Sequence, residues 1–170
     1  MKRILSIMAA GAVLSAGLVF SAPAAQAGDR TCTGTIKAVT VDDNIIVPKG
    51  KTCTLRGTTV KGNIEVKSNA KLLAYKVRVD GNIQSQGHAK VHTSDSRIDG
   101  NIQLKSGGGV DLRRNTVDGD IQLFSNTKAG KKVVQRNTID GNLQCKGNTP
   151  APTGKLNKVG GNKENQCRSL

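Results

Sequence analysis

Four aspartates recur at one place in this chain. Asp80, Asp99, Asp118 and Asp140 each precede a glycine, at intervals of 19, 19 and 22 residues. Carboxylates repeated along one face could gather oxygen ligands around calcium or form a catalytic cluster. Like charges stacked on neighbouring strands repel one another, so such a column needs compensation. Arg78 and Arg97 stand two residues before Asp80 and Asp99, with the parity to share their face of a strand. Thr116 and Thr138 hold the corresponding places later in the chain. The expectation is a solvated, arginine-paired ladder, with calcium as the one cofactor the pattern suggests.

A second set of residues is basic. Lys105, Arg113, Arg114, Lys131, Lys132 and Arg136 fall on later strands and turns, as do Lys67, Lys71, Lys128 and Lys146. Stacked, they would make a stripe able to meet anionic cell-envelope polymers such as teichoic acid, anionic lipid or acidic polysaccharide by charge neutralisation. DNA would be attracted too, but no element suits base reading, so no specific nucleic-acid partner is expected. The plainer alternative is a charged edge that discourages aggregation.

His88 and His92 have the same parity, yet two histidines without a third ligand do not make a metal site. Gly107-Gly108-Gly109 lacks a following Lys-Ser/Thr and reads as a turn. No nucleophile–base–orienter set stands out, and no catalytic residue is assigned.

The element that positions these residues is a repeat. Val60-Lys61-Gly62-Asn63-Ile64 returns as Val79-Asp80-Gly81-Asn82-Ile83, Ile98-Asp99-Gly100-Asn101-Ile102, Val117-Asp118-Gly119-Asp120-Ile121 and Ile139-Asp140-Gly141-Asn142-Leu143. Val41 to Ile45 is a degenerate first copy, and Val159-Gly160-Gly161-Asn162 a last one. Each unit alternates aliphatic and polar residues with period two, broken by Gly, Asn and Ser. No stretch has helical spacing. Leucine-rich repeats would need several fixed leucines per unit, and those slots here hold Val, Ile, Lys or Gly. A unit of 19–22 residues fits three short strands and three turns. The fold expected is therefore all-β, a single-stranded parallel β-helix of six to seven coils.

Stacking would place Val60, Val79, Ile98, Val117, Ile139 and Val159 in one inward column. Ile64, Ile83, Ile102, Ile121 and Leu143 make a second, and Val66, Leu104 and Leu123 dominate a third. Glu65, Gln84, Gln103, Gln122 and Gln144 would form a flat outward face. Asparagines after the glycines can hydrogen-bond their own turn and ladder between coils.

Four cysteines allow three pairings. Cys32 and Cys53 are 21 residues apart, and Cys145 and Cys167 are 22 apart. Each pair thus lies about one coil apart, within disulfide reach, and would staple an end. Pro48, Pro150 and Pro152 also fall near the ends.

Residues 1–27 read as a signal peptide: basic Lys2-Arg3, an apolar run from Ile4 to Phe20, and Ala25-Gln26-Ala27 for cleavage. Residues 28–170 would then be one secreted domain, extracellular or on the cell surface, with no membrane span. Losing Lys2 and Arg3 lowers the formal charge from +14 to +12. Tyr75 and Phe124 would be the only aromatics left, and Trp is absent. That scarcity excludes sugar-stacking platforms and aromatic readers of single strands.

The coil pattern resembles the pectate-lyase-like right-handed β-helix superfamily. The segments Val47 to Gly57, Gly141 to Cys145 and Gly161 to Cys167 look like small secreted bacterial repeat proteins of unassigned function. The period's drift to 22 departs from the strict hexapeptide rhythm of left-handed helices, so a right-handed winding is expected. The resemblance implies, as one alternative, a small calcium-dependent polysaccharide lyase worked by the aspartate column and Arg97. Such enzymes have longer chains whose loops wall a groove. The reading preferred is non-enzymatic: a binding or structural protein that meets anionic polysaccharide or teichoic acid. A self-associating structural module is the remaining alternative.

Overall fold

The period-two alternation becomes three short strands per turn, each pairing in parallel with its equivalents one turn away. The structure, a computed structural model, describes residues 28–170; the signal-peptide expectation for residues 1–27 lies outside them. The first sheet has eight strands, starting at Arg30–Thr31, passing through Ile45–Val47, Ile64–Val66, Ile83–Gln86, Ile102–Lys105, Ile121–Phe124 and Leu143–Lys146, and ending at Lys163–Asn165. The second has six, from Thr35–Ile36 through Thr52–Arg56, Lys71–Tyr75, Lys90–Ser94 and Gly109–Arg113 to Lys132–Gln135. The third has seven, of two residues each, from Thr40–Val41 to Lys158–Val159. Together they form a parallel β-solenoid of about seven turns with no helix among the described residues.

The register sets the inward columns as the repeat requires. Val60, Val79, Ile98, Val117 and Ile139 stack in the third sheet, and Ile64, Ile83, Ile102, Ile121 and Leu143 in the first. All ten are buried. Removing each from water contributes about 1.5–3 kcal/mol, and β-branched side chains suit the pleated surface. The second sheet adds Leu55, Ala74, Thr93, Leu112 and Val134.

Polar ladders hold the corners. Asn63, Asn82 and Asn101 each donate a side-chain N–H to the Oδ1 of the asparagine one coil earlier, at 3.1–3.2 Å. The same oxygens accept backbone N–H bonds of 2.7–2.8 Å. A Cβ on Gly81 or Gly100 would collide with that asparagine oxygen and the neighbouring carbonyl, so only glycine fits. A second, buried ladder joins Asn115, Asn137 and Asn157 at 3.0 Å per rung. A third joins Asn126 to Asn148 at 2.9 Å. Each buried amide also donates to a carbonyl inside the solenoid, so its cost of burial is met.

Both ends are stapled. Cys32–Cys53 and Cys145–Cys167 are disulfides with Cα separations of 5.4 and 5.3 Å. Beyond Asn165 the chain turns across the last coil, and Leu170 is buried with the core.

Candidate functional site

Three lysines that no ion pair among the described residues engages, Lys71, Lys90 and Lys131, line up along the outward face of the second sheet. Its outer column runs Thr52, Lys71, Lys90 in strict register, continues at Gly109, and reaches Lys131, whose carbonyl accepts from Val110 N–H at 2.9 Å. The middle column is Thr54, Leu73, His92, Asp111 and Val133. The far column is Arg56, Tyr75, Ser94, Arg113 and Gln135. A groove of about 430 Å³ lies over this face. Lys71, Lys90, Arg113 and Lys131 line it together with one carboxylate, Asp111, and with small or aliphatic residues that include Gly109, Gly130 and Val133.

One wall is an insertion. Ser125–Lys131 takes seven residues to join the first sheet to the second, where Gly87–Ala89 needs three. Two lysines fasten this strap. Lys128 Nζ donates to Gly87 O at 2.9 Å and to Asn69 Oδ1 at 3.0 Å. Lys132 Nζ donates to the carbonyls of Lys128, Gly130 and Thr149 at 2.9, 2.9 and 2.7 Å. Gly130, at φ +125°, lies on Gly109 so closely that a side chain on it would strike that backbone. The wall is therefore fixed, and a ligand would meet a preformed site.

The expected basic stripe resolves into separate places. Lys132 is a correction: it stands in register with Val110, points inward and is 1% exposed. Lys131 and Lys132 are adjacent in an extended segment, so only one of them can face solvent. Burial holds the Lys132 ammonium below its ordinary range. Arg113 and Lys131 do reach the groove. Arg114 and Arg136 occupy a left-handed corner one coil apart. Arg114 grips Asp95 with two bonds of 2.6 and 2.8 Å, and this grip keeps the Asp95 carboxyl below the usual range. Lys105 extends from the first sheet toward Phe124, 6.0 Å from the ring centre.

The aspartates lie on the third sheet's side, and arginine occupies three of the four. Arg78 bonds Asp80 at 3.0 Å and Asp99 at 2.5 Å. Arg97 bonds Asp99 at 2.8 Å and Asp118 at 2.5 Å. Burial alone would raise the Asp80 carboxyl, but hydrogen bonds from Lys61 and Arg78 outweigh it and hold it low. Asp140 follows Thr138 and is exposed, with no ion pair among the described residues. The guanidinium groups take the oxygens a cation would need. No group of three or more His, Cys, Asp or Glu residues converges among the described residues.

The two histidines part company. His88 lies in the turn before Lys90–Ser94 and is fully buried, since strand alternation begins only at Lys90. His92 faces outward, 3.1 Å from Asp111 and 4.9 Å from the Tyr75 ring centre. Arg113 also donates to Asp111. Arg56 covers Tyr75 at 4.6 Å. Lys90 was not singled out in the sequence; its offset of 19 from Lys71 was the available signal.

No protein-family model matches the chain, and no curated protein or solved structure matches it significantly. The two disulfides fit an extracellular location. No helix among the described residues is long and apolar enough to cross a membrane.

Proposed function

We propose that the protein is a secreted, non-enzymatic β-solenoid that binds anionic polymer of the cell envelope or extracellular space through the second-sheet face. The supporting observation is the distribution of charge. Arg78, Arg97 and Arg114 are spent on Asp80, Asp95, Asp99 and Asp118. No ion pair among the described residues engages Lys71, Lys90 or Lys131, and these line a preformed groove. A cluster of lysines lining a preformed groove attracts polyanions. The winding is right-handed in this reading, as in the pectate-lyase-like superfamily. The arginine-filled aspartate column offers little support to a calcium-dependent lyase. The C-terminal segment folded over the last coil likewise disfavours end-to-end association.

The test is a panel of teichoic acid, acidic polysaccharides and insoluble cell wall, assayed with residues 28–170 for binding and cleavage at low and high salt, with and without calcium. Binding that weakens steeply with salt, without cleavage, is expected. Calcium-dependent cleavage lost in a folded Asp99→Ala variant would replace this reading with a lyase.

A further inference from the structure

We propose that the groove is selective for a linear phosphodiester polymer, of the polyol-phosphate kind, lying parallel to the solenoid axis; this rests on the polyanion reading above. The direction follows from the register. Lys71 and Lys90 occupy successive coils and Lys131 lies two coils further on. They form one line across the strands, spanning about 14 Å at the ordinary strand spacing. The strap Ser125–Lys131 flanks this line, so a chain running along the axis passes beside it while one running along the strands meets it.

The choice of a polyol phosphate over a uronate follows from what the groove offers a sugar ring. The free cations of the groove are lysines, compact point charges that bind phosphates without demanding a fixed geometry. The two-pronged guanidinium grip, which serves carboxylate and phosphate alike, is not on offer. Arg113, the one arginine lining the groove, is already committed to Asp111. Sugar rings would also want an aromatic platform. Tyr75 is engaged by Arg56 and His92, and Phe124 belongs to the first sheet. Beside the lysines and the Arg113–Asp111 pair, the lining is small or aliphatic: Ala89, Gly109, Val110, Ala129, Gly130 and Val133. That surface admits a thin polyol chain and gives a pyranose ring little to stack on.

The test compares poly(glycerol phosphate) with polygalacturonate of equal charge, each as a short oligomer and a long polymer, by calorimetry at two salt concentrations. The wild type and a Lys71→Gln/Lys90→Gln/Lys131→Gln variant are compared, with a thermal melt confirming that the variant is folded. The phosphate polymer should bind about tenfold or more tightly than the uronate. The variant's slope of log affinity against log salt should be shallower by roughly 2, for three lost phosphate contacts. Equal binding of the two polymers, abolished in the variant, would overturn the phosphate selectivity and leave the polyanion reading standing. Binding of neither would remove both.

Discussion

The imidazole of His88 fills the space that a side chain on Gly107, one coil further on, would have to occupy: a Cβ built on Gly107 would collide with the ring. Two coils on, Asn126 takes the same corner and accepts the Gly107 N–H at 2.8 Å. His88 and Gly107 thus interrupt an amide ladder by sharing one site. Gly107→Ala should cost about 1–3 kcal/mol by overpacking and close to nothing in a His88→Ala background. Urea unfolding of the four chains in this double-mutant cycle measures the coupling. An equal cost in both backgrounds would show that the ring is not the obstacle.

Acid should find the same histidine. Burial, then the charges of Lys128 and Lys132, push His88 down from 6.5 to about 4. In the unfolded chain His88 takes up a proton below pH 6.5, whereas in the folded chain it does so only near pH 4. The unfolded state therefore binds more protons across that window, and stability falls as pH falls through it, by as much as about 3 kcal/mol. His88→Asn should flatten unfolding free energy between those limits. An unchanged slope in the variant would place the loss elsewhere.

Lys132 is predicted to be a structural pin. Lys132→Met keeps the bulk but leaves the carbonyls of Lys128, Gly130 and Thr149 without their donor. A loss of about 1–3 kcal/mol is expected, with faster amide exchange confined to the strap and to the segment around Thr149. A variant that stays as stable as the parent but binds polyanion less would return Lys132 to the surface set.

The staples should protect the ends rather than the middle. Each closes a loop of about one coil, which by the chain-entropy estimate is worth about 3 kcal/mol. Cys145→Ser/Cys167→Ser should raise exchange in Leu143–Lys146 and Lys163–Asn165 and release Leu170, leaving Ile83–Gln86 protected. Uniform loss of protection would mean that the solenoid melts as a single unit.

Much of this architecture was legible in the sequence because one spacing governs it. The offset of 19 aligned the valine and isoleucine columns, the asparagine ladder and the arginine–aspartate pairs without knowledge of any angle. The same logic stopped at the insertion. Past Ser125 the strand phase could not be counted, so Lys132 was placed outside and the strap was not foreseen. The buried Asn115–Asn137–Asn157 ladder was also visible, at intervals of 22 and 20, but asparagines outside the Gly-Asn motif resembled ordinary turn residues. The left-handed corner that holds Lys76, Asp95, Arg114 and Arg136 had little signal, since of these residue types only Asp is enriched in that conformation.

The most direct test of the functional account moves equal charge on two faces. Lys71→Glu/Lys90→Glu and Arg78→Glu/Arg97→Glu change the net charge identically, one on the groove and one on the aspartate ladder. Binding of residues 28–170 to poly(glycerol phosphate) at low salt is measured for both, with folding checked by circular dichroism. The account predicts that the first pair abolishes binding while the second, if folded, keeps most of it. Equal loss in both would mean that overall charge alone attracts the polymer and that the groove is not its site.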